Sequence, residues 1–277
     1  MKREKYRESS ASRIIRSKKL FYLKSIFKNP DCIFVVRIFF MNDNSKISAV
    51  IITFNEQEHI GACIRSLQGV VDEVLVVDRH STDDTVSISK ALGAKVISVK
   101  WQGYAETKNV GNQNATNNII LSIDADEELS EELCASILAQ KALGFRIEYV
   151  YKFNRLNNYC GQWIKYAGWY PDTKVRIFHK LNAKWEGEVH EELVYTNTVT
   201  QKHLTGDLLH YSIKDKEDHI ARIHKYNNLA RKYPNRMIGY LSAISTFVKL
   251  YIIKLGFLDG KLGYQLCLIS AKAKVWR

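Results

Sequence analysis

The residues most able to do chemistry lie in Leu121-Ser122-Ile123-Asp124-Ala125-Asp126-Glu127. An Asp-x-Asp at the end of an extended apolar run predicts two carboxylates on one side of a sheet edge, since alternate residues of a strand share a face. Such a pair suits a hard ion, Mg²⁺ or Mn²⁺, which takes one or two carboxylates and fills its remaining positions with water and diphosphate oxygens. A plainer reading is helix capping, with Asp126 or Ser130 starting a helix that carries Leu133, Ile137 and Leu138. Both readings place the segment just past a strand.

The elements that must position it are legible upstream. Ile47–Phe54 (ISAVIITF) reads as a strand buried on both faces, and Glu73–Asp78 (EVLVVD) repeats the pattern and ends in a carboxylate. Asn55 and Glu58 have capping-box spacing ahead of Ile60, Cys63, Ile64 and Leu67, one face of a helix. Ser81-Thr82-Asp83-Asp84 predicts a second helix start and Gly93 its end. Lys95–Val99, a helix around Tyr104–Ala115 and a strand at Asn118–Ile123 continue the alternation. The expected class is α/β, a mostly parallel central sheet with helices on both faces. Ligands of such sheets bind beyond the carboxyl ends of the strands, so Asn55-Glu56, Asp78 and Asp124-Ala125-Asp126 are predicted to face one cleft. Neither Gly-x-Gly-x-x-Gly nor Gly-x-x-x-x-Gly-Lys-Ser/Thr occurs after the first strand, which argues against the two common phosphate-cradling loops.

Composition narrows the classes further. The net charge of +12 is uneven: eleven basic and three acidic residues fall within 1–40. Basic charge confined to one end fits a surface-binding or disordered arm better than a nucleic-acid-binding face, and no nucleic acid partner is expected. Residues 1–40 are read as a basic extension, with CIFVVRIFFM (32–41) too short to span a bilayer and no cleavage pattern behind it. Five widely spaced cysteines suggest neither a zinc ribbon nor a disulfide scaffold. Beyond about residue 145, aromatic-rich segments predict antiparallel additions. From Lys214 the pattern turns helical and then strongly apolar, with twelve uncharged residues (Met237–Val248) before Lys249. At about 18 Å as a helix, that stretch is too short to cross a membrane. It would either lie in the lipid interface or pack on the catalytic domain.

A resemblance emerges from eight ordered motifs: AVIITFNE (49–56), VDEVLVVD (71–78), STDDT (81–85), Lys108-Asn109, LSIDADEEL (121–129), GWYPD (168–172), VRIF (175–178) and VHEEL (189–193). Together they resemble family-2 glycosyltransferases of the GT-A fold, and most nearly the bacterial lipopolysaccharide and lipooligosaccharide core glucosyltransferases. The resemblance implies a GT-A domain over 41–212 and a helical region over 213–277. It implies that Thr53, Asn55 and Glu56 line the nucleotide pocket, that Asp78 accepts from the base, that Lys108 sits near the phosphates and that Asp124 touches the nucleoside. Asp126 would hold the metal, with His190 able to approach it or orient a carboxylate. An inverting transfer needs a base for the acceptor hydroxyl; the resemblance favours Glu191, with Asp172 second, and assigns Trp169 and Tyr170 to the acceptor. The implied partners are a UDP-hexose, a lipid-linked oligosaccharide acceptor and the cytoplasmic face of the inner membrane. Read alone, VHEEL is a short amphipathic segment. Arg79-His80 departs from the small residues usual in the family, and the pair is expected to face solvent, with a diphosphate contact from Arg79 as the other reading.

Overall fold

A computed structural model of the chain describes residues 45–187, 191–227 and 236–275. The basic extension assigned to 1–40 and the metal candidate His190 therefore lie outside the described residues. Strand β1 (Ile47–Thr53) is buried along its whole length and sits between β2 (Glu73–Asp78) and β4 (Ile119–Asp124), parallel to both. Strand β3 (Lys95–Ser98) adds to β2, also parallel. The period-2 geometry divides these apolar runs between two cores. Ile47, Ala49 and Ile51 pack with α1 (Ile60–Leu67) and α4 (Glu131–Leu143), whereas Val50 and Ile52 face Ala105 and Ala115 on the other side. Helices thus cover both faces of a parallel sheet, as the continuous hydrophobic runs predict.

The sheet does not stop at β4. Its order is β3-β2-β1-β4, then Asp172–His179 (β8), Tyr149–Tyr159 (β6), Thr200–Ile213 (β11) and Glu127–Leu129 (β5), with β7 (Gln162–Ile164) paired to β6. Strands β8 (Asp172–His179) and β6 (Tyr149–Tyr159) are the antiparallel additions expected after residue 145. The long β11 (Thr200–Ile213) instead runs parallel to β6, with a register shift between His203 and Asp207. At that shift Gly206 adopts φ +90 and lies against the backbone that starts α4. Ser130 caps α4: its Oγ accepts from the Leu133 N–H at 3.2 Å and from the Asp207 N–H at 3.0 Å. The capping reading of Ser130 is therefore correct, and it leaves the two aspartates before it free for another role.

Two local expectations need correction. Helix α1 begins at Ile60, and its N-cap position, His59, makes no side-chain cap bond. Asn55 instead adopts φ 55 and spans to the next loop, its N–H donating to Ser81 Oγ at 2.9 Å and its Oδ1 accepting from the Thr82 N–H at 2.9 Å. An Asn tolerates the left-handed region and bonds locally, so the capping-box spacing is satisfied by a turn. Likewise, strand alternation does not align Asp124 with Asp126. Strand β4 ends at Asp124, residues 125–126 turn, and β5 (Glu127–Leu129) leaves antiparallel to β11. The Glu127 carboxylate closes that turn by accepting the Asp124 N–H at 2.9 Å.

Behind β11 come α5 (Lys216–Asn227), α6 (Arg236–Val248), a π-helical turn (Lys249–Ile253), a short 3-10 turn (Gly256–Asp259) and α7 (Gly260–Lys272). The 212/213 division falls at the last residue of β11, and the helices beyond it share a core with the sheet. Leu266 and Cys267 of α7 are buried with Tyr159, Ile164 and Ala167. Among the described residues no single helix is long and apolar enough to cross a membrane. The four described cysteines are free thiols.

Candidate active site

Strand tips β1, β2 and β4 and the N-terminal half of α3 (Tyr104–Asn114) meet at one edge of the sheet. Helix α3 reaches the sheet closely because residue 111 is glycine; a Cβ there would come within 2.8 Å of Val77 Cγ2. Asn109 then fixes the hairpin of β9 (Ala183–Glu186) and β10 (Glu192–Tyr195), its amide donating to the Trp185 carbonyl at 2.8 Å and accepting the Trp185 N–H at 2.9 Å. That clamp places Lys108, only 2% exposed, under the Trp185 ring at 4.6 Å. It also brings Glu191 to 3.0 Å from Lys108 Nζ, while Asp124 Oδ1 lies 3.3 Å from the same nitrogen. Two carboxylates from distant parts of the sequence thus share one buried ammonium.

From Asp124 a chain of alternating charges runs across the antiparallel half of the sheet. Arg176, 4% exposed, contacts Asp124 Oδ2 at 3.0 Å and Glu127 Oε1 at 2.7 Å. Arg155 lies 3.5 Å from Glu127 and donates to Asp172 at 2.7 Å, and Lys174 pairs with Asp172 at 3.0 Å. Burial opposes ionisation of Asp124, but Lys108 and Arg176 override it and hold its carboxyl well below the usual range. Glu127 goes the other way: burial and the neighbouring Asp124 raise it against the pull of Arg176. Asp172 is likewise held down by Arg155 and Lys174 despite burial.

Other predicted residues divide into free and engaged groups. Thr53 Oγ1 is buried at the tip of β1 with no hydrogen-bond partner, a group left for a ligand. Asp78 is 1% exposed and both its oxygens bind Ser81, one from the N–H at 3.0 Å and one from the hydroxyl at 2.5 Å. Tyr170 donates to Asp207 at 2.9 Å and accepts from Asn154 at 3.2 Å, so its hydroxyl is occupied. Trp169 packs edge-on against Tyr159 at 5.8 Å. Arg79 is not solvent-facing: its guanidinium lies 3.5 Å over Trp101 and 4.9 Å from the Phe54 ring, stacking that solvation alone would not favour. His80 beside it is exposed.

Sequence reading missed Arg176, Arg155, Glu127 and His210. The first had a signal, since an arginine inside the apolar VRIF strand is buried only when paired. His210 had none: its Nε2 lies 3.4 Å from Asp126 Oδ2 and its Nδ1 is 2.6 Å from Asn157 Oδ1, contacts that depend on the non-local pairing of β11 with β6.

Among the described residues no group of three His, Cys, Asp or Glu side chains forms a ready metal site. The donor chemistry nevertheless fits a hard cation shared with a diphosphate, which needs only one or two protein carboxylates. Glu56 is pushed up to about 7, by burial first and by the charge of Asp126 second, so two carboxylates crowd one place. Asp126 is the residue that would hold such an ion.

Residues 48–208, more than half of the chain, match the family model described as glycosyl transferase family 2. An uncharacterized glycosyltransferase of Rickettsia typhi is 38% identical over 197 residues, 71% of this chain and 63% of that one. The chain thus spans less than two thirds of the length of that relative. A lipopolysaccharide core biosynthesis glycosyltransferase, LpsC of Rhizobium meliloti, is 27% identical over 200 residues, 66% of this chain and 69% of its own. Among solved structures, glucosyl-3-phosphoglycerate synthase of Mycobacterium tuberculosis is 27% identical, with a TM-score of 0.33 over 41% of this chain and 44% of its own. By the extent of the family match, this chain belongs to glycosyl transferase family 2.

Proposed function

We propose that the chain transfers a hexose, glucose from UDP-glucose, onto an inner-core heptose of a lipid-linked lipopolysaccharide or lipooligosaccharide acceptor, with inversion at the anomeric carbon. The observation that carries this reading is the meeting of Lys108, Asp124 and Glu191 beside the turn that bears Asp126. In this account the unpartnered Thr53 hydroxyl, Asn55 and Glu56 bind the nucleoside side of the donor, and Asp78 exchanges a Ser81 contact for the base. Lys108 supplies a point charge for the diphosphate. A divalent ion bound at Asp126 would neutralise charge growing on the leaving diphosphate.

The same geometry gives Glu191 a switch. While it pairs with Lys108 its carboxylate is occupied; when Lys108 turns to the donor phosphates, the Glu191 carboxylate is released to take the acceptor hydroxyl proton as that oxygen attacks. Asp172, locked between Arg155 and Lys174, has no such release. The acceptor reading draws support from the likeness to the core biosynthesis enzyme of Rhizobium meliloti. A charged, membrane-impermeant donor and a lipid-linked acceptor put the protein on the cytoplasmic face of the inner membrane as a peripheral protein.

The test is UDP release by purified protein from UDP-glucose, UDP-galactose and UDP-N-acetylhexosamines, with core oligosaccharide acceptors, with and without Mn²⁺. UDP-glucose with a heptose-containing acceptor should turn over, Asp126→Ala should abolish it, and Lys108→Ala should lower kcat/KM by roughly a hundredfold or more. No release from any nucleotide sugar would sink the proposal. Undiminished turnover by Glu191→Gln would move the base elsewhere.

A further inference from the structure

Helix α6 is apolar on two sides. Phe247, and Leu250 and Tyr251 just beyond it, pack inward with Trp169 onto the core of Tyr159, Ile164 and Leu266. Met237, Leu241, Ile244 and Val248, spaced i, i+4, i+7 and i+11, form a stripe on the outside, each 44% to 68% exposed. The stripe continues over the bend, where Ile253 is 69% exposed, and the two helical segments that meet there are inclined by 73°. A contiguous outward apolar surface of this kind calls for a covering partner.

Charge identifies which partner. Between 237 and 275 there are five lysines and one acid. Lys249, Lys254, Lys261 and Lys272 are exposed, whereas Asp259 is buried and spent on the N–H groups of Lys165 and Tyr166 at 3.1 and 2.9 Å. An apolar stripe with lysines beside it and no exposed acid complements an anionic lipid surface. It does not complement a second copy carrying the same charge, nor the chain's own first forty residues, with their excess of eight positive charges.

The surface is also tied to the acceptor side of the candidate site. The Ala167 N–H donates to the Lys254 carbonyl at 2.9 Å, and Gly168 lies against the Lys254 side chain. Trp169 and Tyr170 follow directly in sequence.

We infer that the outer face of residues 237–258 is a monotopic docking surface for an anionic lipid bilayer, which holds the 167–172 loop at the headgroup level where a lipid-linked acceptor ends. Only the link to the acceptor rests on the proposed function; the docking itself does not. The face would enter the interface by about 5–10 Å without spanning it.

The test is flotation of the full chain with vesicles of phosphatidylcholine, alone or mixed with phosphatidylglycerol, without donor or acceptor. Binding should require the anionic lipid, disappear in Leu241→Asp/Ile244→Asp, and weaken by about fivefold per lysine in Lys249→Gln/Lys254→Gln. Both stripe positions are exposed, so the double variant should keep its unfolding midpoint and its turnover of a water-soluble acceptor. Flotation of the aspartate variant like the unchanged protein would overturn the inference and assign binding to another segment, such as the basic arm. So would a lipid-free dimer that dissociates in the aspartate variant, which would mean that the face is already covered by a second copy. Failure to float leaves the nucleotide-sugar reading untouched, and failure of turnover leaves the vesicle result untouched.

Discussion

Replacing Arg176 by methionine should expose how strongly the charge chain is built into the fold. The side chain is 4% exposed and contacts Asp124 at 3.0 Å and Glu127 at 2.7 Å, so the substitution strands two carboxylates. Breaking a buried pair by removing one partner costs about 3–5 kcal/mol. Two features favour the lower end: Lys108 remains 3.3 Å from Asp124 and Arg155 3.5 Å from Glu127, and the Asp124 side chain is 27% exposed to water. A loss of about 3 kcal/mol, or roughly 6–12 °C in Tm for a chain of this size, is expected. The loss should also depend on pH. Burial already raises the Glu127 carboxyl, and without the guanidinium that pulls it down it rises further. Such a group stabilises the fold while protonated and loses that contribution as pH rises through the folded value. The gap between Arg176→Met and the unchanged protein should therefore widen as pH rises above the ordinary carboxylate range. Urea unfolding followed by tryptophan fluorescence measures it, and adding Glu127→Gln should restore part of the loss at the higher pH. A deficit below about 1 kcal/mol that is flat with pH would mean that the Arg176 pairs add no more than exposed ion pairs do.

Two further outcomes follow from local geometry. Gly206→Ala forces a Cβ into the left-handed region at φ +90 and against the backbone that opens α4, which should cost at least about 2 kcal/mol in urea unfolding; a neutral result would mean that the β11 register shift relaxes. His219 is held below its ordinary 6.5 by burial, with Tyr159 at 3.0 Å, so the unfolded chain binds its proton more readily. Stability should fall as pH drops below about 6.5, and His219→Phe should make that slope shallower; an unchanged slope would remove His219 from the account.

What was legible in the sequence follows from how local each signal is. Strands β1, β2 and β4 announce themselves because burial on both faces leaves unbroken apolar runs, and their polar tips name Asn55, Asp78 and Asp124 at once, whereas Thr53 is named only by the family resemblance. The helix start at Ile60 was misplaced because Asn55 spends its side chain on the Thr82 N–H, a partner 27 residues away. Asp126 was expected on the strand, yet the turn at 125–126 is set by Glu127 reaching back to Asp124 and by β5 pairing with β11. Strand β11 itself, half-exposed and carrying His203 and His210, shows no clean alternation, so neither its parallel pairing with β6 nor the approach of His210 to Asp126 could be read locally. Likewise, Lys108 and Glu191 lie 83 residues apart and meet only through the Asn109 clamp on Trp185.

The claim beneath all of this is that the tips of β1, β2 and β4 form one nucleotide pocket. Hydrogen-exchange mapping of the full chain with UDP and Mn²⁺ tests it most directly. Slowed exchange confined to residues 53–56, 78–85, 104–109 and 124–127, and lost in Asp126→Ala, is the predicted result. Protection elsewhere, or none at these tips at saturating UDP, would contradict it.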